Sequence, residues 1–385
     1  MMSRLCRLLL LAALSACSSE SGSAWPPSSE NSPYPEAAAA HLQRTLNEVV
    51  RTGVAPGVSV VVDESGYAPW AGSAGVRDLE TGQALAPKHR FRAGSMLKVA
   101  IATAVLQQVE SGVLSLEQRL PGLLPEEIVA RIPHAAEITL RMLLNHTSGI
   151  AELTDEEFDR RVAADPTHVW TLEELLDRAF KHAPSFEPGA GWSYSNTNYV
   201  LLGEILSRAT GKPWRWLLRE NVFARAEMFD TQLPEEGNTL CDGCSRGYEF
   251  VEGTLIDLTE VDPSMCGAAG GDALVTTPAD LAKLLVALIR GALFESPATL
   301  ERMREFTVAP DPEQAQTGYG LGLARLQVGS TELIGHIGGT AGFQGFMLYR
   351  PSTGMTVSGF MNRRGDLAAF VLPGLEAIER GGTTE

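Results

Sequence analysis

Ser95 and Lys98 stand three residues apart at the head of an apolar run, within Ser95-Met96-Leu97-Lys98. A serine hydroxyl is a poor nucleophile near neutral pH and needs a base within hydrogen-bond reach. Residues three apart on a helix share a face, so a helical segment sets the Lys98 amine beside the Ser95 hydroxyl. The neighbours Leu97, Val99 and Ile101 imply a buried helix. Burial lowers a lysine's pKa and makes a neutral base accessible. The first helical turn also leaves backbone N–H groups able to bind an oxyanion. Taken alone the pair is a weak signal, because Ser and Lys three apart occur by chance on many solvated helices.

Two further constellations could serve that pair. Tyr194-Ser195-Asn196 precedes a helical run and follows Glu187-Pro188-Gly189-Ala190-Gly191-Trp192. A loop tyrosine is ordinarily packing, but held near cations it can relay a proton. Asn196 offers both a donor and an acceptor, suited to a substrate amide or to the lysine; an N-cap is its alternative. His336-Ile337-Gly338-Gly339 ends a strand, where glycines let a backbone N–H approach a ligand closely, or simply form a glycine-rich hairpin. Two other segments carry no chemistry. Ala71-Gly72-Ser73-Ala74-Gly75 approximates a nucleophile elbow but lacks the helix that should follow. Leu143-Leu144-Asn145-His146-Thr147-Ser148-Gly149 reads as a helix end and tight turn.

The elements that must position these residues follow from patterning. Residues 37–51 have helical character, and Val58–Asp63 is a β-branched run joined through a turn to a second strand near 68–76, a hairpin signal. The helix carrying Lys98 stops at Ser111-Gly112, a C-cap. From 113 to 291 the signals are mostly helical. Thr171-Leu172-Glu173-Glu174 is a capping box opening a helix to about 182, a run through Tyr199 and Leu206 ends at Gly211, and Thr277-Pro278 opens a helix ending at Gly291. Strand patterns return at 319–327, 331–336, 343–350 and 355–362, and 366–380 looks helical. Strands at both ends around a helical middle predict one antiparallel sheet built from both termini, flanked by helices, with a helical domain inserted. The sheet part covers about 37–93 and 292–385, the helical part about 94–291, and a cleft belongs at their seam.

At 44% hydrophobic and 20% charged, the 385 residues can bury a substantial core. Residues 1–17 read as an export signal: Arg4 and Arg7, the apolar Leu8–Leu14, then Leu14-Ser15-Ala16-Cys17. That ending resembles a bacterial lipobox, which would leave Cys17 as a lipidated N-terminus in the cell envelope, with an outer-membrane or periplasm-facing address; an ordinary signal peptide is the alternative. Residues 18–36, rich in Ser, Pro and Glu, read as a disordered tether. The net charge of −16 argues against nucleic acid and against an electrostatic hold on anionic lipid. Cys6 belongs to the signal, leaving Cys241, Cys244 and Cys266. A structural zinc site wants four ligands, so one disulfide among these three with one thiol left over is expected in an oxidising compartment, its pairing open.

Phe91-Arg92-Ala93-Gly94-Ser95-Met96-Leu97-Lys98, His146-Thr147-Ser148-Gly149, Tyr194-Ser195-Asn196 and Gly335-His336-Ile337-Gly338-Gly339 come in the order of one known family. The chain resembles the serine hydrolases that group class C β-lactamases, D-alanyl-D-alanine carboxypeptidases and related esterases, over about 37–362. Ala269-Gly270-Gly271, Thr276-Thr277-Pro278-Ala279-Asp280 and Tyr319-Gly320-Leu321-Gly322 look like further landmarks. The resemblance implies the α/β (α+β type) β-lactamase/transpeptidase-like fold and an acyl-enzyme on Ser95. Lys98 would help activate the serine, and Tyr194 would pass the proton to the leaving group. Asn196, His336 and Gly338 would hold the substrate, and the N–H groups of Ser95 and Gly339 would form the oxyanion hole. No metal or organic cofactor is implied. The expected substrate is a cell-wall D-alanyl peptide, with an ester or amide as the alternative, and an inactive peptidoglycan-binding or scaffold protein as the rival from another class. The third motif departs from the common Lys-Thr-Gly: His336 guarantees less charge than lysine at neutral pH, and Ile337 lacks a hydroxyl. Arg325, on the preceding strand, could supply the charge or be turned away by strand alternation.

Overall fold

The computed structural model describes residues 31–235, 241–251, 253–269, 273–312 and 315–365. The expected signal with Cys6 and Cys17, most of the tether, the Gly270-Gly271 landmark and the expected helix at 366–380 lie outside these residues.

Twelve strands are present among the described residues: β1 (Gly57–Asp63), β2 (Trp70–Gly75), β3 (Phe91–Arg92), β4 (Tyr248–Val251), β5 (Thr254–Asp257), β6 (Val275–Thr276), β7 (Thr307–Asp311), β8 (Gln316–Tyr319), β9 (Ala324–Val328), β10 (Thr331–Thr340), β11 (Phe343–Arg350) and β12 (Met355–Met361). Eight form one antiparallel sheet in the order β2-β1-β12-β11-β10-β9-β8-β7, so its two N-terminal strands sit beside the last C-terminal one. Val58 faces Met361 and Val62 faces Val357 in that seam. The expected sheet from both termini is therefore present.

Alternation assigns the two faces of the sheet. Val58, Val60, Val62, Phe346 and Leu348 pack with Leu42, Leu46 and Val49 of the helix Glu36–Arg51. Met347, Phe360 and Ile334 pack instead into the larger core shared with the helical region. The helix Pro278–Ile289, capped by Thr277 with proline at its first position, lies on this second face, where Ser358 Oγ donates to Pro278 O at 2.6 Å.

At the centre is the helix Leu97–Glu110, entered through a 3₁₀ turn at Gly94–Met96. Every residue from Leu97 to Leu106 is buried, as expected of a helix apolar on all sides. Helix Leu172–Ala179 has the full Thr171/Glu174 capping box, and helix Asn196–Thr210 ends on Gly211 in the left-handed region.

Three expectations need correction. The strand expected over 319–327 is two strands, β8 and β9, because Gly322 (φ +88°) turns the chain and Gly320 N–H donates to Leu323 O at 2.8 Å. The strand expected to end at 336 continues to Thr340 through both glycines, held by pairing with β11 from Ile334↔Tyr349 to Thr340↔Phe343. Ser195, rather than Asn196, is the N-cap of its helix. The β4–β5 hairpin was not foreseen. Of the open cysteine pairings, Cys241–Cys244 is the disulfide and Cys266 stays a buried thiol.

Strand β10 runs hard against the turn carrying Ser95. A Cβ on Gly338 would sit 2.3 Å from Ala93 O, and one on Gly94 (φ +55°) would sit 2.6 Å from Gly339 O. Both neighbours are backbone and cannot swing aside. Gly338→Ala is expected to lower unfolding stability by about 1–3 kcal/mol, the usual range for overpacking, read by urea denaturation. Unchanged stability would mean that the two segments can separate freely.

Candidate active site

Each side chain of the site comes from a different element. The 3₁₀ turn presents Ser95 half-buried, and one helical turn later Lys98 is fully buried. Lys98 Nζ donates to Ser95 Oγ at 3.1 Å, to Asn196 Oδ1 at 2.7 Å and to Ala269 O. The carbonyl of Ala269 reaches the amine because its turn presses on helix Asn196–Thr210 at a glycine. A Cβ on Gly203 would lie 2.4 Å from Ala268 Cβ. Burial pulls the Lys98 pKa down from 10.5 to about 7, opposed by Cys266 and Glu152. A lysine so poised is substantially neutral near pH 7; its two N–H groups then serve Asn196 and Ala269, and the lone pair is left to accept from Ser95 Oγ.

Asn196 is oriented by Glu152, which the sequence did not single out. Glu152 Oε2 accepts the Asn196 backbone N–H at 2.6 Å, and Oε1 accepts from Asn196 Nδ2 at 3.2 Å. The amide oxygen is left facing Lys98. A carboxylate at a helix N-terminus also suits the macrodipole. Thr154 anchors the carboxylate in turn, its N–H at 2.8 Å and Oγ1 at 2.9 Å.

Tyr194 lies with its ring 5.0 Å from Lys98 Nζ. Its hydroxyl is buried and completes no well-aligned hydrogen bond among the described residues. Burial above all, then Tyr319, raises its pKa well above 10, while an interaction of the hydroxyl with the Ser95 side chain pulls the other way. The phenol is therefore protonated throughout the physiological range and can act as an acid.

His336 is buried, with its pKa lowered to about 3 by burial and then by Lys98. Its Nδ1 faces Ile337 O and so carries the proton, which leaves Nε2 to accept from Tyr319 Oη at 2.9 Å. Both ring nitrogens are committed within the protein. Arg325 turns away: its guanidinium lies 5.2 Å over Phe306 and Nε donates to Thr317 Oγ1 at 3.4 Å. Ser73 is likewise remote from this chemistry, donating to Leu85 O at 3.0 Å.

Two cavities meet at Ser95, Asn196, Gly339 and Arg364. One, of about 430 Å³, has an apolar wall of Phe158, Val162, Leu258 and Met265, with Cys266 beside them and carboxylates at Asp155, Glu156, Asp159 and Glu249. The other, of about 480 Å³, is lined by Trp192, Tyr194, His336, Ile337 and Gln344 among others. Arg364, missed in the sequence, is half-exposed at the edge of both, with Glu249 3.9 Å away.

Serine beside a buried amine, next to a buried phenol and a glycine-lined strand, at the seam of an antiparallel sheet and a helical insert, defines an acyl-transferring serine hydrolase of the β-lactamase/transpeptidase-like fold. Residues 42–376 match the beta-lactamase family, and the chain belongs to it. It is 32% identical over 198 residues to penicillin-binding protein 4 of Amycolatopsis lactamdurans, covering 51% of this chain and 50% of that protein. It is 32% identical over 183 residues to esterase EstB of Burkholderia gladioli, covering 46% of each. The chain thus spans about half the length of these two relatives. The D-amino acid amidase of Ochrobactrum anthropi SV3, solved in complex with L-phenylalanine amide, superposes with a TM-score of 0.79 at 29% identity, covering 90% of this chain and 100% of that one.

The depressed Lys98 pKa has a thermodynamic consequence. Between about pH 7 and the ordinary lysine value of 10.5 the unfolded chain binds a proton that the native one does not, so this group makes stability rise with pH there. Comparing wild type with Lys98→Met by urea unfolding at neutral and alkaline pH should show the difference shifting toward wild type as pH rises. A pH-independent difference would mean the lysine is not depressed.

Proposed function

We propose that this serine hydrolase cleaves amides or esters whose leaving group carries no carboxylate, through an acyl-enzyme on Ser95. The supporting observation is the leaving-group side of the site. Tyr194, the available acid, lines the 480 Å³ cavity, so the leaving group lies there, beside a neutral His336 and an apolar Ile337. The other cavity, with its apolar wall, takes the acyl group. The D-amino acid amidase structure in complex with L-phenylalanine amide, a molecule with no carboxylate, fits the same reading.

In the first step neutral Lys98 takes the Ser95 proton as Oγ bonds to the substrate carbonyl carbon. The oxyanion is received by the N–H groups of Ser95 and Gly339, brought together by the glycine contacts of β10. Tyr194 then protonates the leaving group as its bond to carbon breaks, and the Lys98 ammonium restores the phenol's proton. Water then attacks the acyl carbon and gives a proton to neutral Lys98; the bond from the acyl carbon to Ser95 Oγ breaks, the Lys98 proton passes to Oγ, and the acid product departs. Asn196 holds Lys98 in place through Oδ1. A second reading, hydrolysis of cell-wall D-alanyl peptides, is favoured by Arg364, whose guanidinium at the rim could meet a terminal carboxylate.

The test is intact mass after exposure to a fluorophosphonate and to a penicillin, with Ser95→Ala as control, followed by turnover of an amino acid amide and a D-Ala-D-Ala peptide. A Ser95-dependent fluorophosphonate adduct with amide turnover is expected. No adduct from either reagent would sink the nucleophile assignment and favour a binding protein; turnover of the dipeptide terminus alone would favour the second reading.

We also infer export and tethering to the cell envelope through a lipid on Cys17, supported by Leu14-Ser15-Ala16-Cys17. Metabolic labelling with a clickable palmitate should mark the full chain and fail on Cys17→Ser. Equal labelling of both, or of neither, would refute the tether.

A further inference from the structure

We propose that His146, in a segment to which the sequence assigned no chemistry, is the positioning residue that sets Tyr194 for proton transfer. The inference rests on the reading of Tyr194 as the acid. Two hydrogen bonds from the chain on either side of Tyr194 converge on this one histidine: Ser193 N–H donates to His146 O at 3.1 Å, and Ser195 N–H donates to His146 Nδ1 at 3.2 Å. Tyr194 is thereby bracketed at both flanking residues. The imidazole also packs on the phenol, with ring centroids 4.4 Å apart and planes 34° apart, and a second donor, Asn198 Nδ2, holds Nδ1 at 3.1 Å. Because Nδ1 accepts, the ring proton is on Nε2.

The arrangement is unfavourable in itself, which points away from simple packing. His146 is wholly buried, holds a left-handed backbone (φ +61°), and its Nε2 makes no hydrogen bond among the described residues. Such local strain persists where the surroundings demand it and clusters at functional sites. The Tyr194 hydroxyl completes no well-aligned hydrogen bond among the described residues, so its aim depends chiefly on the backbone and on the ring beneath. Tyr319, whose ring lies 4.8 Å from the imidazole, ties the same cluster to His336.

The experiment measures kcat and KM for wild type, His146→Asn, His146→Gln, Tyr194→Phe and His146→Gln/Tyr194→Phe on p-nitrophenyl butyrate and ethyl butyrate. Asparagine keeps an acceptor near the Nδ1 position; glutamine moves it away. A p-nitrophenolate leaves without a proton, whereas ethoxide needs one. His146→Gln should lower kcat on the ethyl ester by roughly 10–100-fold, a sizeable part of a general acid's usual contribution, with KM little changed and the p-nitrophenyl ester hardly affected. His146→Asn should stay close to wild type, and His146→Gln should add nothing once Tyr194 is Phe. Equal losses on both esters, or full additivity with Tyr194→Phe, would overturn the positioning role while leaving the acid assignment intact. A Tyr194→Phe enzyme with no leaving-group-dependent loss would overturn the acid assignment and this inference with it. His146→Phe, which keeps a ring and drops the acceptor, replaces His146→Gln if thermal melting shows that the latter does not fold.

Discussion

The burial of Lys98 is the constraint from which the rest of the site follows. An amine taken out of water needs hydrogen-bond partners, and a charged one needs them more. Here three acceptors reach it from three places: the Ser95 turn, the start of helix Asn196–Thr210, and the turn at Gly267–Ala269. Each has its own device of delivery. Gly94 turns the chain into the helix, Glu152 fixes which end of the Asn196 amide faces the lysine, and Gly203 lets the Ala269 turn close in. The same burial that demands these partners lowers the pKa to about 7, making the amine a base where an exposed lysine would be an inert cation.

The second half of the site is built from backbone. The proposed oxyanion site would need two peptide N–H groups, from Ser95 and Gly339 in distant segments of the chain, to converge within one hydrogen-bond length of a common point. The Ser95 turn and β10 come this close only because side chains are missing from Gly94 and Gly338. The large sheet supplies the rigidity. β10 is paired on both sides, with β9 and β11, so its approach to the turn is set by the whole ladder.

Much of this was legible because it is local. The Ser95/Lys98 spacing, the capping box at Thr171, the left-handed stop at Gly211 and the Thr277-Pro278 helix start each act within one turn of chain, and all are present. What escaped is tertiary. Glu152 reaches Asn196 across 44 residues and His146 reaches Ser195 across 49, and neither sits in a helical or strand period that pairs it with its target. The extension of β10 through Gly338-Gly339 ran against strand propensity, since glycine weakens a strand; ladder pairing overrode it. The break at Gly322 failed in the opposite sense, because alternation across 319–327 continues on both sides of a turn. The Cys241–Cys244 pairing required coordinates, as three cysteines leave the choice open.

The third motif is where electrostatics limits what this site can do. In the proposed mechanism Lys98 gains a proton when it activates Ser95, which would place a cation in the buried centre during turnover. A permanent second cation at His336 would oppose that charge in a region of low dielectric, and Lys98 is itself one cause of the depressed His336 pKa. Histidine resolves the conflict by staying neutral: it keeps the shape and the hydrogen bond to Tyr319 while the charge is left to the base. On the same reading anion recognition, where a substrate calls for it, would fall to Arg364 at the solvent-exposed rim, where screening weakens any repulsion from Lys98. On the proposed reading the deep site would favour neutral leaving groups on physical grounds, and the rim would decide whether anything charged is admitted.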